Sequence, residues 1–420
     1  MIATSPLLNS RIQATPEAPS SLGRFLILLA SGFLVLLPIS AAAVGSRLPN
    51  QDPEAIARGN AFAATADNPS AIYYNPAGIT QLKGQNFDVG LYLVSAGIKY
   101  ESPNGRVFKA NSDFQPVPQI YYVDSLKNCP LSFGMGIYAP FGLAMDWGNN
   151  TSFRTLAEKG KLLYASVNPV LAWQILPSLS VGGGPTINYS KVDLKKGIGF
   201  LPNDQFKFNG DDLDLGFNAG VRWQPHPKWA AGVNYRSSTL MNYRGESELS
   251  PFSGPTATSA KLQFPQSVAA GISFRPTEDW NLEVDVDWTD WESVKQVVFK
   301  GTAAGDQVFP LNYRSSFMYE LGVTRQLGRG YFISAGYFYS ENSSPDKNFN
   351  PIVPDADLHL GSIGFGRRGK RWNWAAAYHF GYNAGREVKN NQSISAIGET
   401  ANGIYRIFNQ AFTVSTTFKF

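Results

Sequence analysis

Apolar and polar residues alternate one by one along several stretches of the chain. In residues 212–223 every odd-numbered position is apolar, whereas the even-numbered positions carry polar, charged or glycine residues. Residues 281–288 and 371–380 show similar alternation. Because successive side chains of a β-strand point to opposite faces of a sheet, the pattern predicts strands with one apolar and one polar face. We therefore expect an all-β fold.

The alternating stretches are long for a soluble protein. They run for about 10 to 15 residues, whereas soluble strands usually have about 5–6 residues and tilted membrane strands need about 9–11. Tryptophans collect near the ends of the stretches, for example at Trp223, Trp229, Trp280 and Trp372. Aromatic girdles of this kind are typical of a transmembrane β-barrel. A secreted β-sandwich with its apolar faces turned inward is the alternative.

The candidate strands give the barrel a size. There are fourteen, beginning near Phe87, Val117, Leu131, Lys161, Leu179, Asp212, Trp229, Lys261, Trp280, Phe317, Tyr331, Leu358, Trp372 and Phe412. Short junctions such as residues 328–330 alternate with long ones such as 342–357, as expected for periplasmic turns and extracellular loops. The sequence therefore predicts a 14-stranded antiparallel transmembrane β-barrel over residues 85–420.

The N-terminus has the order of a secretory signal. Residues 25–37 form a 13-residue apolar run that follows Arg11 and Arg24 and precedes small residues up to Ala43. A helix of this length reaches about 20 Å, which is short of the roughly 30 Å hydrocarbon core. We expect residues 1–43 to be a signal peptide, with a membrane anchor as the alternative.

Residues 44–84 lack the long alternation of the strands. They are rich in Ala, Asn, Asp, Pro and Gly, and some larger barrels have plugged lumens. We expect this segment to be an N-terminal plug (hatch) inside the lumen, with a periplasmic tail as the alternative.

Composition narrows the classes of function. Charged residues are 16% of the 420-residue chain and the net charge is +4, whereas a typical soluble domain has about 25% charged residues. A single cysteine, Cys129, excludes a disulfide within the chain and a multi-cysteine metal site. Residues 364–369 match GxGxxG, but no helix is predicted after them, which argues against a nucleotide site. We expect no cofactor, no metal and no nucleic-acid partner.

Charged residues at the even or inward positions form two further groups. The acids Asp212, Asp214, Glu283, Asp285 and Asp287 are expected to face the lumen and to be balanced by Arg222, Arg236 and Arg244. The basic residues at 367–368 and 370–371 are expected to form a solvated turn, with contact to anionic lipid headgroups as the alternative.

The predicted plug carries the most specific motif of the chain. Residues 58–80 (RGNAFAATADNPSAIYYNPAGIT) resemble the N-terminal plug signature of the FadL family, above all in Asn75-Pro76-Ala77 and the following GIT. Residues 134–143 (GMGIYAPFGL), 262–265 (LQFP), 280–291 (WNLEVDVDWTDW) and 354–357 (PDAD) are similar to further family motifs. One departure is that residues 44–47 lack the aromatic residue often found there.

The resemblance implies an outer-membrane channel for long-chain fatty acids or, as in the TodX-type branch, aromatic hydrocarbons. It implies capture of the solute in an apolar groove, transfer to a lumenal apolar pocket, and lateral exit through a gap in the barrel wall. Substrate-binding candidates are Ile72, Tyr73 and Tyr74 on the plug, with Glu341 at the rim of the pocket.

The gap requires a strand that leaves its ladder. Pro140 has no N–H and Gly142 permits unusual backbone dihedrals, so Pro140, Phe141 and Gly142 predict a strand kink. We expect Asn75, Pro76 and Ala77 to form a gate beside it, with Asn75 bonding to the freed backbone groups. The alternative is that Pro140 ends its strand at a loop.

The expected partners are a hydrophobic small molecule, outer-membrane lipids including lipopolysaccharide, and the outer-membrane assembly machinery. The assembly machinery is expected because the final strand ends in an aromatic residue, Phe420. The chain is expected to be a monomer in the outer membrane of a Gram-negative-type bacterium. A non-specific porin and an outer-membrane lipid-modifying enzyme are the alternative functions. The chain contains no GxSxG motif, and we do not expect an enzyme.

Overall fold

Antiparallel strands close into a ring. In the computed structural model, which describes residues 47–393, 395 and 397–420, all strands belong to one sheet, and the first and last strands pair with each other over their length. The described residues cross the wall fourteen times, which confirms the predicted fold class. The predicted signal peptide, residues 1–43, lies outside the described residues.

The strands are, in chain order, β1 (Gly84–Glu101), β2 (Val107–Lys109), β3 (Gln115–Ser125), β4 (Leu131–Asp146), β5 (Lys159–Leu176), β6 (Leu179–Gly197), β7 (Gln205–His226), β8 (Trp229–Arg236), β9 (Thr239–Ser250), β10 (Ser253–Phe264), β11 (Ser267–Phe274), β12 (Trp280–Thr289), β13 (Gln296–Lys300), β14 (Gln307–Pro310), β15 (Ser316–Gly328), β16 (Tyr331–Ser340), β17 (Leu358–Arg368), β18 (Trp372–Tyr382), β19 (Arg386–Val388) and β20 (Gly403–Lys419). Six crossings consist of two consecutive segments: β2 with β3, β8 with β9, β10 with β11, β12 with β13, β14 with β15, and β18 with β19. Short helices are α1 (Pro53–Ile56) and α2 (Ala71–Tyr74), and single 3₁₀ turns cover Pro76–Gln81, Trp291–Ser293 and Asp346–Asn348.

Each of the fourteen predicted strand starts falls in a crossing of the wall. The largest differences are in β7, β10 and β20, which begin seven to nine residues earlier than predicted, at Gln205, Ser253 and Gly403. These early parts of β7 and β10 continue the ladder where the outward positions carry no large apolar side chain. A search for apolar alternation therefore misses them.

The apolar faces of the strands point away from the ring. On β7 the outward residues Leu213, Leu215, Phe217 and Val221 are 58%, 64%, 50% and 43% exposed, whereas the neighbouring Arg222 is buried. A soluble sandwich would bury the apolar set. The predicted register of this strand is therefore confirmed.

The two ends of the barrel differ. Short turns, such as the one between β15 and β16, lie at the end that also holds Gly84 and Phe420, and we call this the turn end. Long connections, such as residues 341–357 and 389–402, lie at the opposite end, which we call the loop end. In outer-membrane barrels the short turns face the periplasm.

Residues 47–83 precede β1 and are largely buried. Asp52 begins α1 as its N-cap, because its side chain accepts hydrogen bonds from the N–H groups of Glu54 and Ala55. The segment bonds to strands that are far apart in the ring, through Asn218 of β7 and Ser362 of β17. It therefore contacts the barrel wall from several directions.

The outward face of β7 allows a test of the barrel's depth in the membrane. Phe217 lies midway between Asp211 and Trp223, whereas Leu213 lies next to the polar end. Phe217→Arg should lower the free energy of unfolding by about 2–4 kcal/mol, and Leu213→Arg by about 1 kcal/mol or less, because the cost of a cation rises toward the bilayer midplane. Denaturant unfolding in lipid vesicles measures both, and equal costs at the two sites would contradict this placement.

Candidate functional site

Strand β4 leaves its neighbour β3 halfway along its length. The β3–β4 ladder ends where Ile120 pairs with Ile137, although β4 continues to Asp146. Residues 138–143 are all buried, so the alternation of burial seen in the rest of the strand is lost there. The strand thus turns its backbone toward the interior over the interval that contains Pro140, Phe141 and Gly142. We call this interval the β4 break.

A bulge accompanies the break. Tyr138 pairs with Ser166 and Phe141 pairs with Tyr164, so β4 has one residue more than β5 between these pairs. On the other side, β3 contributes Pro116 and Pro118, which like Pro140 have no N–H. The ladder between β3 and β4 cannot be completed with these residues. The sequence signal for this interruption is the PVP triplet at 116–118, which does not change the apolar alternation of the strand.

Backbone groups freed at the break bond to the N-terminal segment. The N–H of Leu48 donates to the carbonyl of Pro140 at 2.8 Å. The side-chain amide of Gln51 donates to the carbonyl of Ala139, also at 2.8 Å. Both contacts satisfy carbonyls that a neighbouring strand would otherwise bond.

Arg47 links the β4 break to β12 on the opposite side of the barrel. Its backbone forms an isolated bridge with Phe141. Its guanidinium donates to both carboxylate oxygens of Asp287 on β12, at 2.7 and 2.6 Å. This bidentate, largely buried ion pair fixes the N-terminal strand-like residues against the break.

Asn75 of the predicted gate does not bond to the freed carbonyls of β4. Asn75 donates to the carbonyls of Ala63, at 2.8 Å, and of Val221 on β7, at 3.0 Å, while its Oδ1 accepts from the N–H of Ala77. The backbone of Pro76 and Ala77 packs so closely on Gly182 of β6 that a Cβ there would come within 2.8 Å. The expectation that Asn75 bonds to the freed groups of β4 is wrong, because Asn75 caps the following 3₁₀ turn and docks that turn on β6 and β7.

The three substrate-binding candidates of α2 lie against the start of the break. Ile72 contacts β4 at Gly134 and Gly136, where an added Cβ would come within 2.9 Å of its side chain. The ring of Tyr73 lies 5.2 Å from that of Tyr138 in an edge-to-face arrangement. The hydroxyl of Tyr74 donates to the carbonyl of Pro49 at 2.9 Å.

The cavity beside α2 is small and charged. Tyr73 and Tyr74 border a space of about 20 Å³, and the side chains around it include Arg47, Arg236, Asp285, Asp287 and Glu320. A space of this size suits one water molecule. The charged lining of this cavity differs from the apolar pocket that we expected at Tyr73 and Tyr74.

Glu341 lies on the outside of the barrel. Its carboxylate accepts from the N–H of Phe317 at 3.0 Å and from the hydroxyl of Tyr319 at 3.5 Å. Tyr319 is 44% exposed on the outer face. The predicted position of Glu341 at the rim of a lumenal pocket is wrong, because the side chain follows the outward positions of β16.

Aromatic side chains fill the interior on the loop side of the break. The ring centroid of Phe141 lies 4.9 Å from that of Phe264 and 5.2 Å from that of Tyr164, and Trp291 lies at 6.5 Å. These residues belong to a large buried apolar group, which we call the inner apolar cluster. Its other members include Leu143, Met145, Leu162, Phe206, Phe208, Met241, Tyr243, Phe299, Phe338, Leu358 and Leu360.

Lys196 places a cation against this cluster, as Arg386 does at the Phe349 ring. The ammonium of Lys196 on β6 lies 4.4 Å from the ring centroid of Phe309, which packs against the cluster. In the part of the chain that the structure describes, no carboxylate lies within ion-pair distance of it. Sequence reasoning missed Lys196, Phe206 and Phe208. The sequence signal is in β7: the apolar residues Phe206 and Phe208 occupy even-numbered positions, on the loop side of the outward apolar residues at odd-numbered positions.

The predicted lumenal acids of β12 hold the N-terminal segment. Asp285 accepts from the backbone N–H groups of Phe62 and Ala63, both at 2.8 Å. Glu283 accepts from the N–H of Ala64 at 2.7 Å and forms an ion pair with Arg58 at 2.9 Å. The inward position of these acids is confirmed by their burial.

The arginines predicted to balance these acids make other contacts. Arg222 donates to the carbonyl of Ala64, and Arg236 donates to the hydroxyl of Tyr138, each at 2.8 Å. Arg244 is exposed, outside the barrel. The counter-cations therefore come from the N-terminal segment, which alternation in the strands does not reveal.

A second cavity opens at the turn end. Its volume is about 310 Å³, and Arg58, Asp67, Arg275, Asp279 and Arg368 are among its lining residues. Arg368 bonds to Glu54 and Asp67, so it is not part of a solvated turn as predicted. Burial alone would raise the pKa of the Asp67 carboxyl, but the Arg368 guanidinium lowers this pKa to about 2.

Comparison with known proteins agrees with this fold. The family model "Outer membrane protein transport protein (OMPP1/FadL/TodX)" matches residues 34–420. The crystal structure of a Pseudomonas aeruginosa FadL homologue has a TM-score of 0.79 at 18% identity and covers 90% of this chain and 100% of that one. The Pseudomonas putida toluene transporter TodX has a TM-score of 0.70 at 16% identity and covers 89% of this chain and 99% of that one.

A curated relative extends the comparison to sequence. The long-chain fatty acid transport protein of Escherichia coli K12 is 21% identical over 72% of this chain and 79% of its own length. The family model describes transport proteins of the outer membrane and not enzymes. Since that model covers all of the described barrel, this chain belongs to the OMPP1/FadL/TodX family of outer-membrane transport proteins.

Proposed function

We propose that this protein takes up hydrophobic solutes across the outer membrane, through the inner apolar cluster and out of the wall at the β4 break. One observation carries the proposal: Phe141 belongs to both places. It is part of the break in the wall, and its ring packs in the aromatic group that begins the cluster. An apolar interior thus meets a gap in the wall at a single residue.

A lateral route suits the chemistry of such solutes. An apolar molecule that passes from an apolar interior to the hydrocarbon of the bilayer never exposes its surface to water, so no hydrophobic free energy is lost on the way. A route straight through the barrel would instead cross the charged side chains of Glu283, Asp285 and Arg58.

We assign residues 47–83 as the plug that closes the direct route. The assignment is supported by their bonds to β7, β12 and β17 and by the ion pairs of Arg368 with Glu54 and Asp67 at the turn end. A non-specific porin needs a continuous water-filled path, and this charged and bonded segment argues against one.

Lys196 favours a solute with a carboxylate end. An ammonium without a carboxylate partner, held against the Phe309 ring, offers a charge-assisted bond to an acid while the hydrocarbon tail contacts the cluster. Among the relatives, the name of the Escherichia coli protein refers to long-chain fatty acids and that of TodX to toluene. We therefore place this protein's solutes with the long-chain fatty acids.

The break itself provides the first test. Deleting Pro140 removes the extra residue of the bulge and returns β4 to one continuous alternation with β5. We expect the variant to fold and to lose most uptake of a radiolabelled long-chain fatty acid, because the wall is closed where the solute leaves.

A second bulge offers a matched control for this deletion. β15 has an extra residue at Leu327, beside the turn to β16 and far along the chain from the break. Deleting Leu327 should leave uptake near the wild-type rate when both variants are compared at equal amounts in the outer membrane. Normal uptake by the Pro140 deletion would contradict lateral exit.

The carboxylate assignment is tested by Lys196→Gln. Uptake of a long-chain fatty acid should fall about tenfold, as expected for a lost hydrogen bond to a charged group, whereas uptake of its methyl ester should stay unchanged. Lys99→Gln, at an exposed lysine of β1, removes the same charge and serves as control. If Lys196→Gln slows the acid and the ester equally, the residue shapes the path and does not recognise the carboxylate.

A further inference from the structure

The apolar band of the outer wall ends at a defined level. On β7 the outward residues are apolar from Trp223 to Leu213, and Asp211 is the next outward residue. Ten residues at about 3.3 Å each, tilted by about 40°, span about 25 Å, which is the height of the apolar band of outer-membrane barrels. Outward side chains beyond Leu213 therefore lie at the level of lipid headgroups on the loop side.

Basic side chains crowd this level on one sector of the wall. Six exposed cations on neighbouring strands lie just beyond the band, and we call them the basic belt: Lys161, Lys191, Lys195, Arg244, Lys261 and Lys300. In the described part of the chain none of them has a carboxylate within 4.0 Å, whereas Lys159 pairs with Asp146 at 2.7 Å and Lys207 with Glu248 at 3.4 Å.

The register of the strands gathers the belt into two groups of three. Lys161 pairs with Asp193, which places it diagonally between Lys191 and Lys195 on the next strand. Diagonal neighbours of this kind lie about 7–8 Å apart.

The second group lies on the far side of β7. Ser259 pairs with both Arg244 and Lys300, and Lys261 follows two residues after Ser259 on the same outward face.

Three acids lie among the six cations on the same outward face: Asp211 pairs with Lys191 and with Arg244, Asp193 pairs with Lys161, and Glu246 lies two residues from Arg244. The six cations of the belt therefore exceed these three acids by three.

A smaller set of exposed cations lies on β1, β2 and β20, where Lys99 pairs with Lys109 and with Arg406, and Arg406 bonds to Glu101. At the loop end of β16 and β17, on another part of the ring, the nearby polar residues are Glu341, Asp357 and His359. Like charges that lie close together repel each other, so this excess of cations over acids in the belt is stabilised when further anions are close. The belt therefore points to an anionic partner that lies in the membrane surface on this side of the barrel.

We propose that the basic belt binds the phosphorylated headgroup of lipid A, the membrane anchor of lipopolysaccharide. The loop end faces the outer leaflet, which lipopolysaccharide occupies, and lipid A presents phosphate groups at the headgroup level. Lysine and arginine form charge-assisted hydrogen bonds with phosphate oxygens. Two groups of three cations suit a headgroup with more than one phosphate.

The test uses the purified full barrel in a neutral detergent, titrated with deep-rough lipopolysaccharide. The triple variant K161Q/K191Q/K195Q should bind on the order of 100-fold more weakly than wild type at low salt, since each lysine near an anionic lipid surface contributes about fivefold. Wild-type affinity should fall as salt is added. Enzymatically dephosphorylated lipopolysaccharide should bind to wild type as weakly as intact lipopolysaccharide binds to the variant.

The turn end supplies a matched control. Lys127, Lys228 and Lys370 are exposed there, so K127Q/K228Q/K370Q removes the same charge at the opposite end of the barrel. This variant should keep wild-type affinity. Retained affinity in K161Q/K191Q/K195Q, or an equal loss in the control, would overturn the proposal.

Two further measurements keep the result specific. The variant R244Q/K261Q/K300Q tests the second group independently, and resistance of each barrel to unfolding in cold sodium dodecyl sulfate shows that it is folded. Vesicles of phosphatidylglycerol provide a simple anionic surface. If wild type binds them as tightly as lipopolysaccharide, the belt attracts any anionic lipid and the assignment to lipid A is wrong.

Discussion

The structure depends on one constraint: a backbone N–H or C=O in the membrane has no water to bond with, so the protein must satisfy it internally. Closure of the ring meets this constraint almost everywhere, because β1 and β20 pair over sixteen residues and leave no free edge there. The places where the ladder stops are therefore informative. Each such interruption of the ladder requires another group to bond to the freed backbone N–H and C=O groups. The identity of that group distinguishes an interruption that stays closed from a functional break.

At the β4 break the bonding groups belong to the N-terminal segment. Leu48 and Gln51 bond to Pro140 and Ala139, while Arg47 is held by Asp287 across the interior. The acids of β12 have a second task, since Glu283 and Asp285 accept backbone N–H groups of the same segment. Removing one partner of such a buried pair leaves an uncompensated charge. The lumenal charges thus stabilise the segment, the segment stabilises the break, and the three features depend on one another.

The sequence predicts features that repeat and misses those that rest on a single contact. Alternation over ten residues gives the outward face of β7 and the fourteen crossings, because many positions carry the same signal. Asn75 is different: its motif fixes the cap of a 3₁₀ turn, but nothing local determines that the turn docks on Gly182 and Gly220. Glu341 was misplaced because a one-residue change of parity moves a side chain to the other face of a strand. The contact of Lys196 is not evident from the sequence, because its aromatic neighbour, Phe309, belongs to β14 and lies more than a hundred residues further along the chain.

A second interruption of the ladder, which we call the β7 seam, shows what the β4 break would need to stay closed. The ladder between β7 and the β8–β9 crossing is interrupted from residue 212 to 217. There, Asp214 and Asp212 accept from the N–H groups of Leu240 and Asn242 at 2.7 and 2.6 Å, and Ser237 bonds to Phe217. All of these groups belong to the wall, so the seam is satisfied whatever the N-terminal segment does. At the β4 break the same task falls to Leu48 and Gln51, and displacing them would leave two carbonyls unbonded at about 1–3 kcal/mol each. The two interruptions are of similar size but have different hydrogen-bond partners. At the β7 seam the freed backbone groups bond to residues of the wall, whereas at the β4 break they bond only to residues that do not belong to the barrel.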